Sequence, residues 1–201
     1  QPPAEVASIP VTSVKAVVPS VPVSTSLVTT VPTSPPKETS TQTPKASAAP
    51  LPAKVNLAVP FTSQAPEKNW DQPWQDACEE AAILMLDAFY KGNGVSPLFA
   101  KDEMIKMVNW EEQEKGWGRS IEMEKLKQVF EWYSGLKGKI IENPTVEQIK
   151  QFVANKQPVL VVADGKALPN PYFRDGGPEY HALIIRGYTE DKFITNDPGT
   201  W

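Results

Sequence analysis

Cys78 is the only cysteine in the chain of 201 residues, and it lies where a polar loop changes into a strongly apolar segment. Asp76 is placed to cap a helix there, and Glu79 and Glu80 favour a first helical turn, where free N–H groups meet the positive end of the helix dipole. Cys78 is therefore predicted to lie in this first turn, where the dipole favours the nucleophilic thiolate. A lone cysteine beside apolar residues is also commonly an inert core residue, so a second group must decide between the two interpretations.

His181 is the only histidine, and it opens a predicted strand that runs from Tyr180 to Arg186. An imidazole is the natural general base for a thiol because it gains and loses a proton near neutral pH. The alternative is a histidine whose ring only covers the strand edge. One cysteine and one histidine in a single domain favour the pairing of nucleophile and base.

The hairpin that follows His181 supplies candidates for a third group. With a turn at Thr189–Asp191, Tyr188 lies opposite Lys192 and Leu183 lies opposite Asp197. A shift of one residue would exchange the two faces of the strand. The hairpin therefore predicts that Asp197 lies diagonally across from the histidine.

Two further roles remain open between neighbouring residues. Asp197 or Asn196 is expected to orient the imidazole and fix its tautomer. The oxyanion formed by thiolate attack needs donors, and the backbone N–H of Cys78 can supply one of them. The side-chain amide of Gln72 or of Gln75 is expected to supply another.

The apolar pattern predicts an α+β fold, with helices first and a mostly antiparallel sheet last. Residues 81–89 predict a buried central helix that Gly92 ends, and Thr145 is placed to cap a later one. Glu111, Glu112 and Glu114 are expected on a solvated helix face. The other predicted helices cover residues 102–114, 121–134 and 146–154, and the main predicted strands cover residues 57–61, 140–141, 158–163, 180–188 and 192–196.

Residues 1–55 differ in composition from the rest of the chain. They contain 11 of the 21 prolines, many Ser, Thr and Val, and no aromatic residue, glycine or histidine. Such a segment is predicted to be a disordered linker or stalk, while an added edge strand is disfavoured because proline removes hydrogen-bond donors. The chain opens at Gln1 without methionine, and with the Pro/Thr/Ser composition this predicts a secreted or cell-envelope-attached protein.

The charge and the remaining motifs exclude several classes of partner. The formal net charge is −4 at pH 7, and the acidic excess lies in residues 56–201, which disfavours nucleic acid and anionic membranes. No segment is apolar and long enough to predict membrane insertion, and no glycine pattern resembles a phosphate cradle. One histidine and one cysteine, without a calcium-loop pattern, predict neither a metal site nor a cofactor.

These motifs together resemble a known family. Gln72-x5-Cys78 at the start of a buried helix, then His181 on a strand and Asn196-Asp197-Pro198, is similar to the papain-like cysteine peptidases. Within them, the chain most resembles the C-39-like domains of bacterial secreted and exporter-associated proteins. Val59-Pro60-Phe61-x2-Gln64 before the cysteine is also typical of those domains, and the resemblance covers about residues 57–199.

The resemblance implies a papain-like fold over residues 56–201 and a cysteine peptidase. It implies that Cys78 is the nucleophile, His181 the base, Asp197 the orienting residue and Gln72 the oxyanion donor. The substrate would be a peptide or protein; a peptide leader, a protein loop and a cell-wall stem peptide are the candidates. Many relatives carry glycine after the cysteine, and the glutamates that replace it here are expected to raise the pKa of the thiol.

Several expectations accompany this interpretation. Trp70 and Trp74 flank the nucleophile and are expected to wall a substrate groove, and the loop 164–179 is a candidate lid. The chain stops at Trp201, so the domain is expected to continue beyond it. The alternatives are a transglutaminase-like acyl transferase and a non-catalytic cell-envelope binding module that retains the fold.

Overall fold

The computed structural model describes residues 5–6, 15–20 and 50–200. Four α-helices and seven β-strands make up this part of the chain, with 3-10 turns at Trp74–Asp76 and Gly165–Ala167 and a π-helical segment at Trp110–Glu114. The helices are α1 (Cys78–Lys91), α2 (Pro97–Asn109), α3 (Met123–Ser134) and α4 (Val146–Ala154). The strands are β1 (Glu5–Val6), β2 (Lys15–Pro19), β3 (Val55–Asn56), β4 (Gly138–Glu142), β5 (Val159–Ala163), β6 (His181–Tyr188) and β7 (Phe193–Asn196).

The seven strands form one sheet in which all neighbours are antiparallel. The order is β1-β7-β6-β5-β2-β4, and β3 pairs with the end of β6. Helices α1 and α3 pack on one face of this sheet, α2 packs on α1, and α4 packs on the opposite face. The predicted α+β class with a mostly antiparallel sheet is therefore confirmed. None of the helices in the described part of the chain is long and apolar enough to cross a membrane.

Helix α1 is the central helix that the sequence predicts. Its residues from Cys78 to Ala88 are all buried, because it lies between the sheet and the other helices. Gly92 ends it in the left-handed conformation with φ of 68°, where its N–H reaches back to the last turn. The start of this helix, with the side chain of its first residue, Cys78, therefore lies beside the sheet.

Strand β2 differs from the expectation of a disordered stalk over residues 1–55. Lys15–Pro19 lies inside the sheet, between β5 and β4, and Ala16, Val17 and Val18 are buried. The reason is that residues 11–18 contain no proline, so a short apolar run keeps all its donors. Pro19 comes last in the strand, past its pairing with β5. Most of the remaining stalk lies outside the described residues, and its disorder stays a prediction.

We expect Val17→Ala to lower the free energy of unfolding by about 2 kcal/mol, since it opens a cavity in the core. Val17 is completely buried between the sheet and the helical layer. Chemical denaturation measures the change. The matched control is Val28→Ala, in the segment whose composition predicts disorder, and it should change the free energy by less than about 0.5 kcal/mol. Equal effects of the two substitutions would contradict the docking of this strand.

The β6–β7 hairpin contains two register differences that cancel. At the turn, Tyr188 lies opposite Phe193, one residue from the predicted partner, Lys192. A β-bulge between Ile185 and Gly187 then shifts the pairing by one residue, so that Ile184 lies opposite Asn196. The predicted register is wrong at the turn, but it holds beyond the bulge. The bulge thereby brings Asp197 next to the start of β6.

Candidate active site

Cys78 is the first residue of α1, as the sequence predicts, but the cap differs from the expectation. Ala77 occupies the cap position without a side-chain hydrogen bond. Asp76 accepts a hydrogen bond from Nε2 of Gln72 at 2.7 Å. Because Cys78 stands at the first helical position, its backbone N–H has no partner within the helix.

The loop before Cys78 is held in place by hydrogen bonds from the side chain of Gln64. Nε2 of this buried side chain donates to the carbonyl oxygens of Trp74 and Gln75, at 3.0 and 2.9 Å. The backbone N–H of Gln64 donates to the carbonyl of Pro198 at 3.0 Å. One glutamine therefore ties the nucleophile loop to the segment that follows β7. The sequence resemblance included this glutamine but gave it no role.

The sulfur of Cys78 lies in a buried pocket of polar groups. The thiol donates to Oε2 of Glu79 at 2.9 Å, and the N–H of Ala182 donates to Sγ at 3.4 Å. Burial raises the pKa of the thiol well above its ordinary value, and the negative charge and hydrogen bond of Glu79 raise it further. The expectation that the glutamates after the cysteine raise this pKa is confirmed.

His181, which lines the same cleft as this sulfur, forms a buried pair with Asp197. Nε2 of His181 lies 2.7 Å from Oδ1 of Asp197, and His181 directly precedes Ala182 in β6. Burial alone would raise the pKa of Asp197, but hydrogen bonds from His181, Gly199 and Asn170 lower it below its ordinary value. The carboxylate is therefore charged and accepts the Nε2 proton. This leaves Nδ1 as the ring nitrogen that can take a proton from a thiol.

Asn196 does not compete with Asp197 for the imidazole. Its Nδ2 donates to the carbonyl oxygens of Val59 and Pro60, both at 3.1 Å. The two candidates for the third residue thus point to opposite sides of the chain at the end of β7, as the alternation of an extended chain favours. Asp197 is the residue that contacts the imidazole.

Three residues around the pair were not assigned a role from the sequence. Nδ2 of Asn170 donates to Oδ2 of Asp197 at 2.7 Å, and the N–H of Gly199 donates to Oδ1 at 2.8 Å. The ring of Phe173 meets the imidazole edge-on, with 5.0 Å between ring centroids. Gly199 belongs to the Asn-Asp-Pro-Gly motif, so the sequence contained a signal that could have identified it. Asn170 and Phe173 lie in an irregular loop and carried no signal.

Cys78 and His181 line one cleft of about 720 Å³. Trp70 and Gln75 line it as well. The loop 164–179, which is predicted as a lid, borders the cleft. Its residues 172–175 and 177–179 line it. The two ends of this loop lie in close contact. A Cβ added to Gly177 would stand only 2.7 Å from the carbonyl oxygen of Gly165.

Trp74 and Gln72 do not lie where the sequence predicts. Trp74 is buried in the main core, where it packs with apolar residues instead of lining the cleft. Gln72 is exposed and is not among the residues that line the cleft, since its amide is turned to Asp76. The loop before Cys78 folds into a 3-10 turn at Trp74–Asp76. That turn directs Gln75 to the cleft and Trp74 to the core.

Two further glutamates are buried behind the cysteine. Glu80 and Glu111 are 5% and 3% exposed, and their carboxyl groups share a hydrogen bond. Burial raises the pKa of both, and the charge of Glu79 raises it further, to about 7 for Glu111. The expected solvated position of Glu111 is wrong. The π-helical segment Trp110–Glu114 turns this side chain inward, and sequence periodicity cannot predict such a segment.

The described residues contain no group of three or more His, Cys, Asp or Glu side chains arranged to hold a metal ion. A sulfur at a helix start, an imidazole with one free nitrogen and a charged carboxylate behind it suit nucleophilic attack on a carbonyl.

An α+β domain with a cysteine at the start of its central helix and a His–Asp pair on the sheet is compatible with a papain-like fold. The family model described as the Peptidase_C39 like family matches residues 56–201. The chain belongs to this family of papain-like peptidases, and the resemblance inferred from the sequence is confirmed. Comparisons with curated proteins and with solved structures gave no match.

Proposed function

We propose that this domain hydrolyses peptide or amide bonds with a triad of Cys78, His181 and Asp197. The single observation that carries the proposal is the shared cleft, in which the sulfur lies beside β6 and the imidazole is held by Asp197 through Nε2. Membership of a peptidase family supports it independently. The substrate is a peptide or a protein.

The proposed reaction proceeds through an acyl-thioester. The proton of Cys78 passes to Nδ1 of His181, and the thiolate attacks the carbonyl carbon of the substrate. The imidazolium then protonates the leaving amine, and water, activated by the neutral ring, releases the acid and restores the thiol. Asp197 keeps the ring in one tautomer and stabilises its positive charge during both steps.

The oxyanion formed in this reaction needs hydrogen-bond donors near the first turn of α1. The free N–H of Cys78 is one of them, because it stands at the first position of α1. Of the two glutamines left open by the sequence, Gln75 is the better supported second donor because it lines the cleft. Gln64 lines the cleft too, but both hydrogens of its amide bond to carbonyl oxygens, so it positions the loop.

The context proposed for this activity is the cell envelope or the extracellular space. The support is compositional: residues 1–55 are rich in proline, serine and threonine, as a stalk is. Strand β2 modifies this picture, since part of the segment belongs to the sheet. A cell-wall stem peptide, a peptide leader and a protein loop are the substrates to be compared.

One observation favours a second candidate, a binding module that retains the fold. The thiol donates to Glu79, and within the described residues no hydrogen bond joins Cys78 to His181. Burial and Glu79 together keep the thiol in its neutral form. A module of this kind would hold a peptide in the cleft without cleaving it.

Hydrolysis in ¹⁸O-labelled water separates these candidates. Peptide mixtures, including cell-wall stem peptides, are incubated with the protein, and the products are analysed by mass spectrometry. A peptidase yields products with ¹⁸O in the new carboxyl group, whereas added glycine methyl ester is incorporated by an acyl transferase. The control is protein alkylated beforehand with a thiol-selective reagent, for which Cys78 is the target because the chain has one cysteine. The absence of ¹⁸O and of amine products, with retained peptide binding, would support the binding module.

A further inference from the structure

We propose that Glu79 is a positioning residue that holds the thiol proton of Cys78 in the resting protein, in place of His181. The inference rests on the proposed function, because it concerns how the same site is kept inactive until it is used. It assigns a role to a residue that takes no part in the triad. The consequence is a nucleophile that is protected before substrate arrives.

The carboxylate of Glu79 is held from two sides. Oε2 accepts the hydrogen bond from the Cys78 thiol at 2.9 Å, and Oε1 accepts one from the backbone N–H of Ile121 at 3.1 Å. The side chain is 1% exposed, so both hydrogen bonds are shielded from bulk solvent. Glu79 therefore connects the first turn of α1 to the segment that leads into α3, and the thiol lies at one end of this connection.

The other charged and titratable groups near the sulfur do not bond to it. On α1, Glu80 is turned to Glu111, and just before β6 the Tyr180 hydroxyl donates to a backbone carbonyl. In the 3-10 turn, Asp76 accepts from Gln72. His181 is engaged through Nε2 with Asp197. Among the side chains that the structure describes, Glu79 is thus the one acceptor for the thiol proton.

This arrangement decides what must happen before attack. The thiol must leave Oε2 of Glu79, its S–H bond must break, and the proton must pass to Nδ1 of His181 while the electron pair stays on sulfur. Glu79 keeps its bond to Ile121 throughout. A negative charge at this distance opposes formation of a second one on sulfur. Glu79 therefore delays thiolate formation until the sulfur has turned to the imidazole.

The test is the rate of alkylation by iodoacetamide as a function of pH, in wild type and in Glu79→Gln. We expect the wild-type profile to have its midpoint above the ordinary thiol value of about 8.5. Gln keeps the shape of the side chain and can still accept from Ile121, but its Nε2 donates to sulfur and favours the thiolate. The variant should react at least about tenfold faster at pH 7, since one pKa unit is a factor of ten.

Glu80→Gln is the matched control, because it replaces a buried carboxyl group in the same turn without touching a bond to sulfur. It should accelerate alkylation less than Glu79→Gln does. Equal acceleration by the two variants, or no acceleration by Glu79→Gln, would overturn the proposal. Neither result depends on turnover, so a failure of the peptidase assay leaves this test intact.

A second measurement uses the unaltered protein, in case Glu79→Gln does not fold. The chain has one cysteine, so its infrared S–H stretching band reports on Cys78 alone. A thiol that donates to a carboxylate should absorb at a lower frequency than a thiol in water. A band at the position of a free, solvated thiol would refute the role of Glu79.

Discussion

Replacing Cys78 by alanine is expected to lower the turnover of any peptide substrate at least about 10³-fold, because no acyl-thioester can form. The imidazole and the oxyanion donors remain, so the variant should still bind substrate with a similar affinity. Steady-state kinetics measure the loss in kcat, and binding to the unreacted peptide is measured by calorimetry. A loss confined to kcat identifies the sulfur as the group that reacts.

Cys78→Ser is the informative control for shape. The hydroxyl is close in size to the thiol and can donate to Glu79 in the same way, but it is a far weaker nucleophile without full deprotonation. It should be as inactive as the alanine variant. The serine variant should unfold at nearly the same denaturant concentration as wild type, since it changes one small side chain and keeps the donor to Glu79. Turnover that survives in either variant would show that another group attacks the substrate.

Local sequence signals predicted regular elements of the fold, including the helix that carries the cysteine. The capping box of Thr145 and Gln148 starts α4 where expected, and the apolar run after Cys78 forms the buried α1. These features are local, because caps and helical periodicity depend on residues only a few positions apart. The Cys–His–Asp set was also predictable. The cysteine and the histidine are each unique in the sequence, and the predicted hairpin placed the aspartate near the histidine.

Features that depend on long-range packing were not predictable. Strand β2 is held by two partners more than a hundred residues away, β4 and β5. Asn170 reaches Asp197 from a loop whose path no periodicity describes. The register of β6 and β7 was correct at Asn196, the residue before Asp197, only because the bulge offset the difference at the turn. The site was thus found from its residue types, while its surroundings required the fold.

The buried pair of Glu80 and Glu111 is expected to make the protein less stable as the pH rises from about 4.5 to about 7. Burial raises the pKa of Glu111 from its ordinary value of 4.5 to about 7. Between these values the folded protein holds a proton that the unfolded chain has released. The stabilisation is complete below pH 4.5 and is lost as the pH passes through the folded pKa. The loss from Glu111 alone is on the order of 3 kcal/mol.

Glu111→Gln should flatten this dependence, because the amide fills the same space and does not titrate. Its free energy of unfolding should exceed that of wild type near pH 8, where the wild-type carboxylate must carry a charge in the core. Denaturation by urea at several pH values measures both curves. Glu112→Gln is the matched control: the same change at the next residue, whose side chain is 40% exposed and pairs with Arg119, should leave the slope unchanged. Parallel curves for wild type and Glu111→Gln would mean that this carboxyl group is ionised in the folded protein over the whole range, and the proton it is inferred to hold would have to be assigned to Glu80.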